Sequence, residues 1–178
     1  MCGIAGLIHR GKTSNVGSEL QQMLQALKHR GPDSTGYALY ADNDGKNFIL
    51  RFKVGENVGE GSSSINEDDS VYDERKKLVD QMLRTLGAKI IKEDRLTPYS
   101  FRYEMEYDKD LMEFSKKIES IESVEILSIG KSLELIKDLG DAKVVSDRYG
   151  LGNLKGTHAI GHARMATESG VHIKSAHP

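Results

Sequence analysis

Cys2 is the only cysteine in this chain of 178 residues, and it directly follows Met1. Removing Met1 would leave a thiol and a free α-amino group on one residue. An α-amine titrates near ~7.7–8.0, against ~10.4 for a lysine, so a useful fraction is neutral at cellular pH. A neutral amine can take the thiol proton, directly or through one water, which makes an N-terminal nucleophile. A buried cysteine in an N-terminal strand, or a reactive stray thiol, fits the same position. A second candidate is Arg164, which stands just before Ala166-Thr167-Glu168-Ser169-Gly170. A guanidinium fork beside a threonine hydroxyl and turn amides suits a substrate carboxylate, although a lone arginine is more often a salt-bridge partner.

His158, Ile160, His162 and Arg164 recur at two-residue spacing, so a strand would put them on one face. Two histidines so placed raise the question of zinc. A third ligand would have to come from elsewhere, and Cys2 is already committed, so no metal is expected. Asp42, Asn43 and Asp44 lack the twelve-residue loop and closing glutamate of a calcium site, and read as turn residues. Gly59-Glu60-Gly61-Ser62 is not a phosphate loop, since no Gly-Lys-Ser or Gly-Lys-Thr follows it and no strand feeds it.

The elements that must position these residues follow from periodicity. Residues 3–9 read as a buried strand, with Ile4, Leu7 and Ile8 apolar and Gly3 and Gly6 admitting close backbone. Leu20, Met23, Leu24 and Leu27 recur at helical spacing, predicting an amphipathic helix over 18–28. His29-Arg30-Gly31-Pro32 stops it, and a strand follows over 37–40. Residues 42–45 are expected to form a hairpin turn into a strand over 47–54. Gly55 to Ser70 reads as an exposed connection. Beyond it come a helix (73–86), strands (88–92 and 100–107), a helix (111–121) and a strand (124–129). With the strand before them, these make the β-α-β-β-α-β order of a ferredoxin-like unit. Residues 133–139 read as a short helix, 147–152 as loop and 157–165 as a strand. The division expected is therefore 1–54 with 147–178 as one domain, and 55–146 as an inserted α+β subdomain for docking or spacing.

Composition narrows the function class. Hydrophobic residues make 38% and charged residues 29%, as in a soluble globular protein. No apolar run reaches the ~20 residues of a membrane span, and the start lacks the basic, then apolar pattern of a signal peptide. A cytoplasmic location is expected, and one cysteine fits a reducing compartment. A net charge of −2 and the absence of tryptophan argue against nucleic acid and anionic membrane.

Three separated pieces agree on a family. They are Cys2-Gly3-Ile4, then His29-Arg30-Gly31-Pro32-Asp33-Ser34-Thr35-Gly36, and finally Gly161-His162-Ala163-Arg164-Met165-Ala166-Thr167 with Ser175-Ala176-His177-Pro178. Together they resemble the class II glutamine amidotransferases, which are N-terminal-nucleophile (Ntn) hydrolases, over roughly 1–54 and 147–178. The resemblance implies a four-layer αββα sandwich, C-terminally incomplete here. It implies Cys2 as nucleophile and, through its α-amine, base. Arg164 would hold the α-carboxylate of L-glutamine with Thr167 assisting, and Arg30, Gly31 and His162 would support them. The family takes its oxyanion donors from a downstream Asn-Gly pair, and an acidic residue beyond grips the substrate amine. The sequence stops at Pro178, before either, so the isolated 1–178 chain is expected to show little glutaminase activity.

Met165 and Glu168 depart from some branches of the family, and the 55–146 block is long for several of them. The sequence looks most like the separate amidotransferase subunit of archaeal-type glutamate synthases. That resemblance implies an ammonia-accepting synthase partner carrying flavin and iron–sulfur groups. This chain has neither cysteines for a cluster nor a dinucleotide fingerprint, so it is expected to hold no cofactor itself. The alternatives are a glutaminase of the asparagine, aminosugar or methylamine-glutamate type, and a non-catalytic regulatory or docking protein that keeps the fold.

Overall fold

The computed structural model describes residues 2–42, 45–55 and 69–165. They form a mixed α+β structure with two four-stranded antiparallel sheets and four helices. The first sheet has the order β1 (Gly3–Ile8), β8 (Gly156–Arg164), β2 (Ser34–Ala41), β7 (Leu133–Leu139). The second has the order β4 (Lys89–Thr97), β5 (Ser100–Glu106), β3 (Phe48–Lys53), β6 (Glu125–Gly130).

Each sheet has its own apolar core. Helix α1 (Val16–Ala26) starts at Asn15, whose side chain accepts from the Ser18 backbone N–H, and it buries Val16, Leu20 and Leu24. These pack with Tyr37, Leu39, Ile136 and Ala159 of the first sheet, and with Ala142, Val145 and Tyr149 of α4 (Ala142–Tyr149). The helix can lie this close because a side chain is missing where they touch. A Cβ on Gly161 would stand 2.6 Å from Leu24 Cδ1, and one on Gly17 would run into the Leu151 carbonyl. The second sheet is covered by α2 (Asp69–Leu86) and α3 (Leu111–Glu119). Phe52 stacks on Phe101 at 5.3 Å and meets Tyr103 edge-on at 5.1 Å, with Leu83, Phe114 and Ile118 closing the cluster.

The seam between the sheets is ionic. Glu134, 1% exposed, accepts from Arg51 Nε at 2.6 Å, from Arg102 Nε at 2.9 Å and from Arg102 Nη2 at 3.0 Å. Nearby, the fully buried Asp138 accepts from Tyr99 Oη (2.7 Å), Tyr149 Oη (3.0 Å) and Arg148 Nη1 (2.9 Å). Lys53 Nζ donates to the Lys137 carbonyl at 2.5 Å. Residues of β3, β5 and α4 are thus tied to β7 by charge-assisted bonds, which are shorter and stronger than neutral ones.

Several expectations change. Residues 133–139 form strand β7 and not a helix. Glu134, Ile136 and Asp138 alternate onto one buried face, a period of two that carries charges at two of its three positions and so hides the strand signal. Residues 147–152 lie in the end of α4 and a 3-10 turn (Leu151–Asn153), not in a loop. Asp141 caps that helix, and Gly150 at φ 63° ends it. β2 and β3 do not pair as a hairpin: β2 lies between β8 and β7, and β3 between β5 and β6, so the two strands belong to different sheets. Asn43, Asp44 and 56–68 lie outside the described residues. Strand β1 is buried on one side only. Gly3 and Ala5 face α1, while Ile4 and Ile8 are 70% and 69% exposed on the opposite side with Ile160 at 45%. Among the described residues no helix is long and apolar enough to cross a membrane.

Candidate active site

Three strands bring the chemistry-bearing residues into one row. β1 and β8 run antiparallel with Gly3 opposite Ala163, so the next residues outward are Cys2 and Arg164. On the other side of β8, Arg164 stands opposite Ser34 of β2. Opposed residues in such a ladder point to the same side, with Cβ atoms about 4.5–5.5 Å apart. The row at this end of the sheet therefore reads Cys2, Arg164, Ser34. Cys2 is exposed, as a thiol that must meet substrate has to be.

Gly31 locks this end of β8 in place. A Cβ there would lie 2.5 Å from the Ala163 oxygen and 2.5 Å from the Arg164 carbonyl carbon. Two residues on, the Asp33 backbone N–H donates to the Arg164 carbonyl at 3.2 Å. The Gly-Pro loop thus clamps the backbone that carries the guanidinium. Gly31→Ala is expected to cost about 1–3 kcal/mol, since the obstacle is backbone and not a movable side chain. Urea unfolding of the variant measures this, and an unshifted midpoint would remove the clamp from the account.

The remaining sequence-derived residues are placed as follows. Arg30 ends the 3-10 turn Lys28–Arg30 and is exposed, one residue before the clamp. His162 is buried at 7% exposure, opposite Ile4 on one side and Gly36 on the other, one step along the same face from Arg164. Thr167 lies outside the described residues, as do Ala166, Glu168 and 169–178. His158 stacks on Tyr40 with ring centroids 3.8 Å apart, and its Nδ1 lies 2.9 Å from Thr157 Oγ1. His162 lies four positions further along the strand, about 13 Å away, which is too far for the two to hold one ion.

Sequence reasoning passed over Ser34. Its side chain is fully buried, yet among the described residues its hydroxyl has no hydrogen-bond partner. Arg164 Nη1, across the ladder, is likewise buried and without one. Each such group ordinarily costs about 1–3 kcal/mol, more when charged. The motif His29-Arg30-Gly31-Pro32-Asp33-Ser34 contains the signal, but only the β2–β8 register shows which side chain of it faces Arg164.

Comparison with known proteins finds one matching family and two curated relatives. Residues 1–47 match the family model of the glutamine amidotransferase domain. All of the chain aligns with a protein of Methanothermobacter thermautotrophicus named "Putative glutamine amidotransferase", at 36% identity over 191 positions, covering 56% of that protein. It also aligns in full with the "Glutamine amidotransferase-like protein GlxB" of Rhizobium meliloti, at 30% identity over 184 positions and 54% of its length. The chain thus spans about half the length of the curated relatives it matches. Its first 47 residues carry the glutamine amidotransferase domain pattern, and its whole length is similar to proteins named for that domain.

Proposed function

We propose that this chain is the glutaminase part of a class II, N-terminal-nucleophile glutamine amidotransferase. The observation that supports this most is the row Cys2–Arg164–Ser34, which sets an accessible thiol beside a half-buried arginine whose Nη1 is buried and unpartnered among the described residues. Once Met1 is removed, the α-amine of Cys2 takes the thiol proton. The thiolate attacks the side-chain carbonyl of L-glutamine, giving a tetrahedral oxyanion. The C–N bond breaks, and the amine returns its proton to the departing ammonia. Water, deprotonated by the same amine, then cleaves the thioester to glutamate and restores the thiol. Arg164 anchors the α-carboxylate, so the reacting amide is presented in one position. Thr167, Arg30, Gly31 and His162 assist.

The fold reading belongs with this. The open side of the first sheet, with Ile4, Ile8 and Ile160 exposed, is suited to a second sheet that would complete an αββα sandwich. The curated relatives, nearly twice as long, have residues enough to supply one. The order β3-α2-β4-β5-α3-β6 with sheet order β4-β5-β3-β6 supports a ferredoxin-like unit, the subdomain inserted into the Ntn domain over 55–146, with β3 (Phe48–Lys53) just before it as its first strand.

The acceptor we propose is a cytoplasmic glutamate synthase partner, whose flavin and iron–sulfur groups drive amination of 2-oxoglutarate with the released ammonia. Two measurements test the function. The full-length protein should have an intact mass short of Met1, and it should be labelled on Cys2 by a glutamine-analogue electrophile. Arg164→Ala should lower the labelling rate by about 10–100-fold, the worth of a charge-assisted contact. Retained Met1, or labelling indifferent to Arg164, would defeat the reading.

A further inference from the structure

Two buried donors stand at opposed positions at the end of β8 and, among the described residues, have nothing to bind. Ser34 is 0% exposed and its Oγ is unpartnered, and Arg164 Nη1 is buried and unpartnered beside it. The β2–β8 register puts the two residues directly opposite, on the side of the sheet to which β1 delivers Cys2. A guanidinium only donates, whereas a hydroxyl can donate and accept. Should Arg164 turn to donate to Ser34 Oγ, the hydroxyl proton still needs an acceptor. Every arrangement of the pair therefore ends in surplus donors, and an anion with two oxygens, a carboxylate, matches both. A neutral carbonyl oxygen can also accept twice, but only an anion answers the guanidinium's charge as well.

We propose that Ser34 is a substrate-binding residue, its hydroxyl donating to the same carboxylate that Arg164 holds. This rests on the proposed glutaminase function and adds to it a second, neutral contact. That contact fixes the carboxylate's rotation about the guanidinium as well as its position. Ser34 is suited to the task because it lies in a strand paired on both sides, Leu139 on one and Arg164 on the other, so its backbone is held in place.

The test is steady-state glutamine hydrolysis by the full-length protein carrying Ser34→Ala, alongside wild type. KM for L-glutamine should rise about tenfold or more with kcat little changed, the value of one hydrogen bond to a charged group. For a γ-amide substrate lacking the α-carboxylate, wild type and variant should have the same KM. The thermal midpoint of Ser34→Ala should stay at or above that of wild type, because an unsatisfied buried hydroxyl is removed. Ser34→Thr, which keeps the hydroxyl, should recover most of the loss. An unchanged KM in Ser34→Ala beside an active wild type would overturn the assignment and leave the glutaminase reading standing. A KM that rises equally for both substrates would overturn it too, marking a structural effect. A wild-type protein that neither hydrolyses nor binds glutamine would sink both.

Discussion

Cys2→Ala is expected to abolish glutamine hydrolysis, lowering the rate by at least about 10⁴-fold, as removal of an enzyme's nucleophile does. The same substitution should leave stability within about 0.5 kcal/mol, because Cys2 is exposed and precedes the first residue of β1. The separation of the two effects is what distinguishes a nucleophile from a strand residue. A companion variant sharpens the point: a residue inserted so that Met1 is retained keeps the sulfur but occupies the α-amine. It should lose about 10²–10⁴-fold, the usual worth of a positioned base. In the unmodified protein kcat/KM should rise with pH as that amine loses its proton, with a midpoint near ~7.7–8.0. Ammonia release from glutamine measures all three. Substantial turnover by Cys2→Ala would end the proposal.

The largest stability effect should come from Glu134→Ala, at about 3–5 kcal/mol, because it strands Arg51 in the seam between the sheets without its counter-charge. Glu134→Gln should cost less, since it keeps the shape and one acceptor. The carboxylate also carries a pH dependence. Burial alone would raise its pKa, but the guanidinium groups of Arg102 and Arg51 hold it below the ordinary glutamate range. A depressed folded-state pKa contributes stability that is full above the unfolded value, about 4.3, and is lost as pH falls through the folded one. Denaturant midpoints followed from pH 7 down to 3 should therefore drop more steeply for wild type than for Glu134→Gln. Parallel curves would mean that the carboxylate titrates normally.

How far the sequence spoke depended on whether pattern and chemistry coincided. Leu20 and Leu24 gave α1 away because a helix that packs on one side must repeat its apolar residues. The strand carrying Arg164 was legible from the alternation of His158, Ile160, His162 and Arg164. β7 was not, because its buried side bears Glu134 and Asp138, which hydrophobic periodicity counts as solvent-facing. Nor could local signals tell that β2 and β3 enter different sheets: Asp42 and Gly45 suit a turn in either case, and pairing is decided by distant strands. At the site, the residue types of Cys2, Arg164 and Gly31 announced themselves. Ser34 did not, since a serine in a turn motif is unremarkable until its neighbour across the sheet is known.

The ionic seam also bears on how the molecule comes apart. Two oily cores, one on each sheet and joined by Leu96 of β4 reaching the first, meet across a seam of buried charges. Guanidinium is itself a ligand for carboxylates and competes with Arg51, Arg102 and Arg148 wherever the seam opens, whereas urea carries no charge. It should let the two halves melt at separate concentrations, while urea unfolds them closer to a single step.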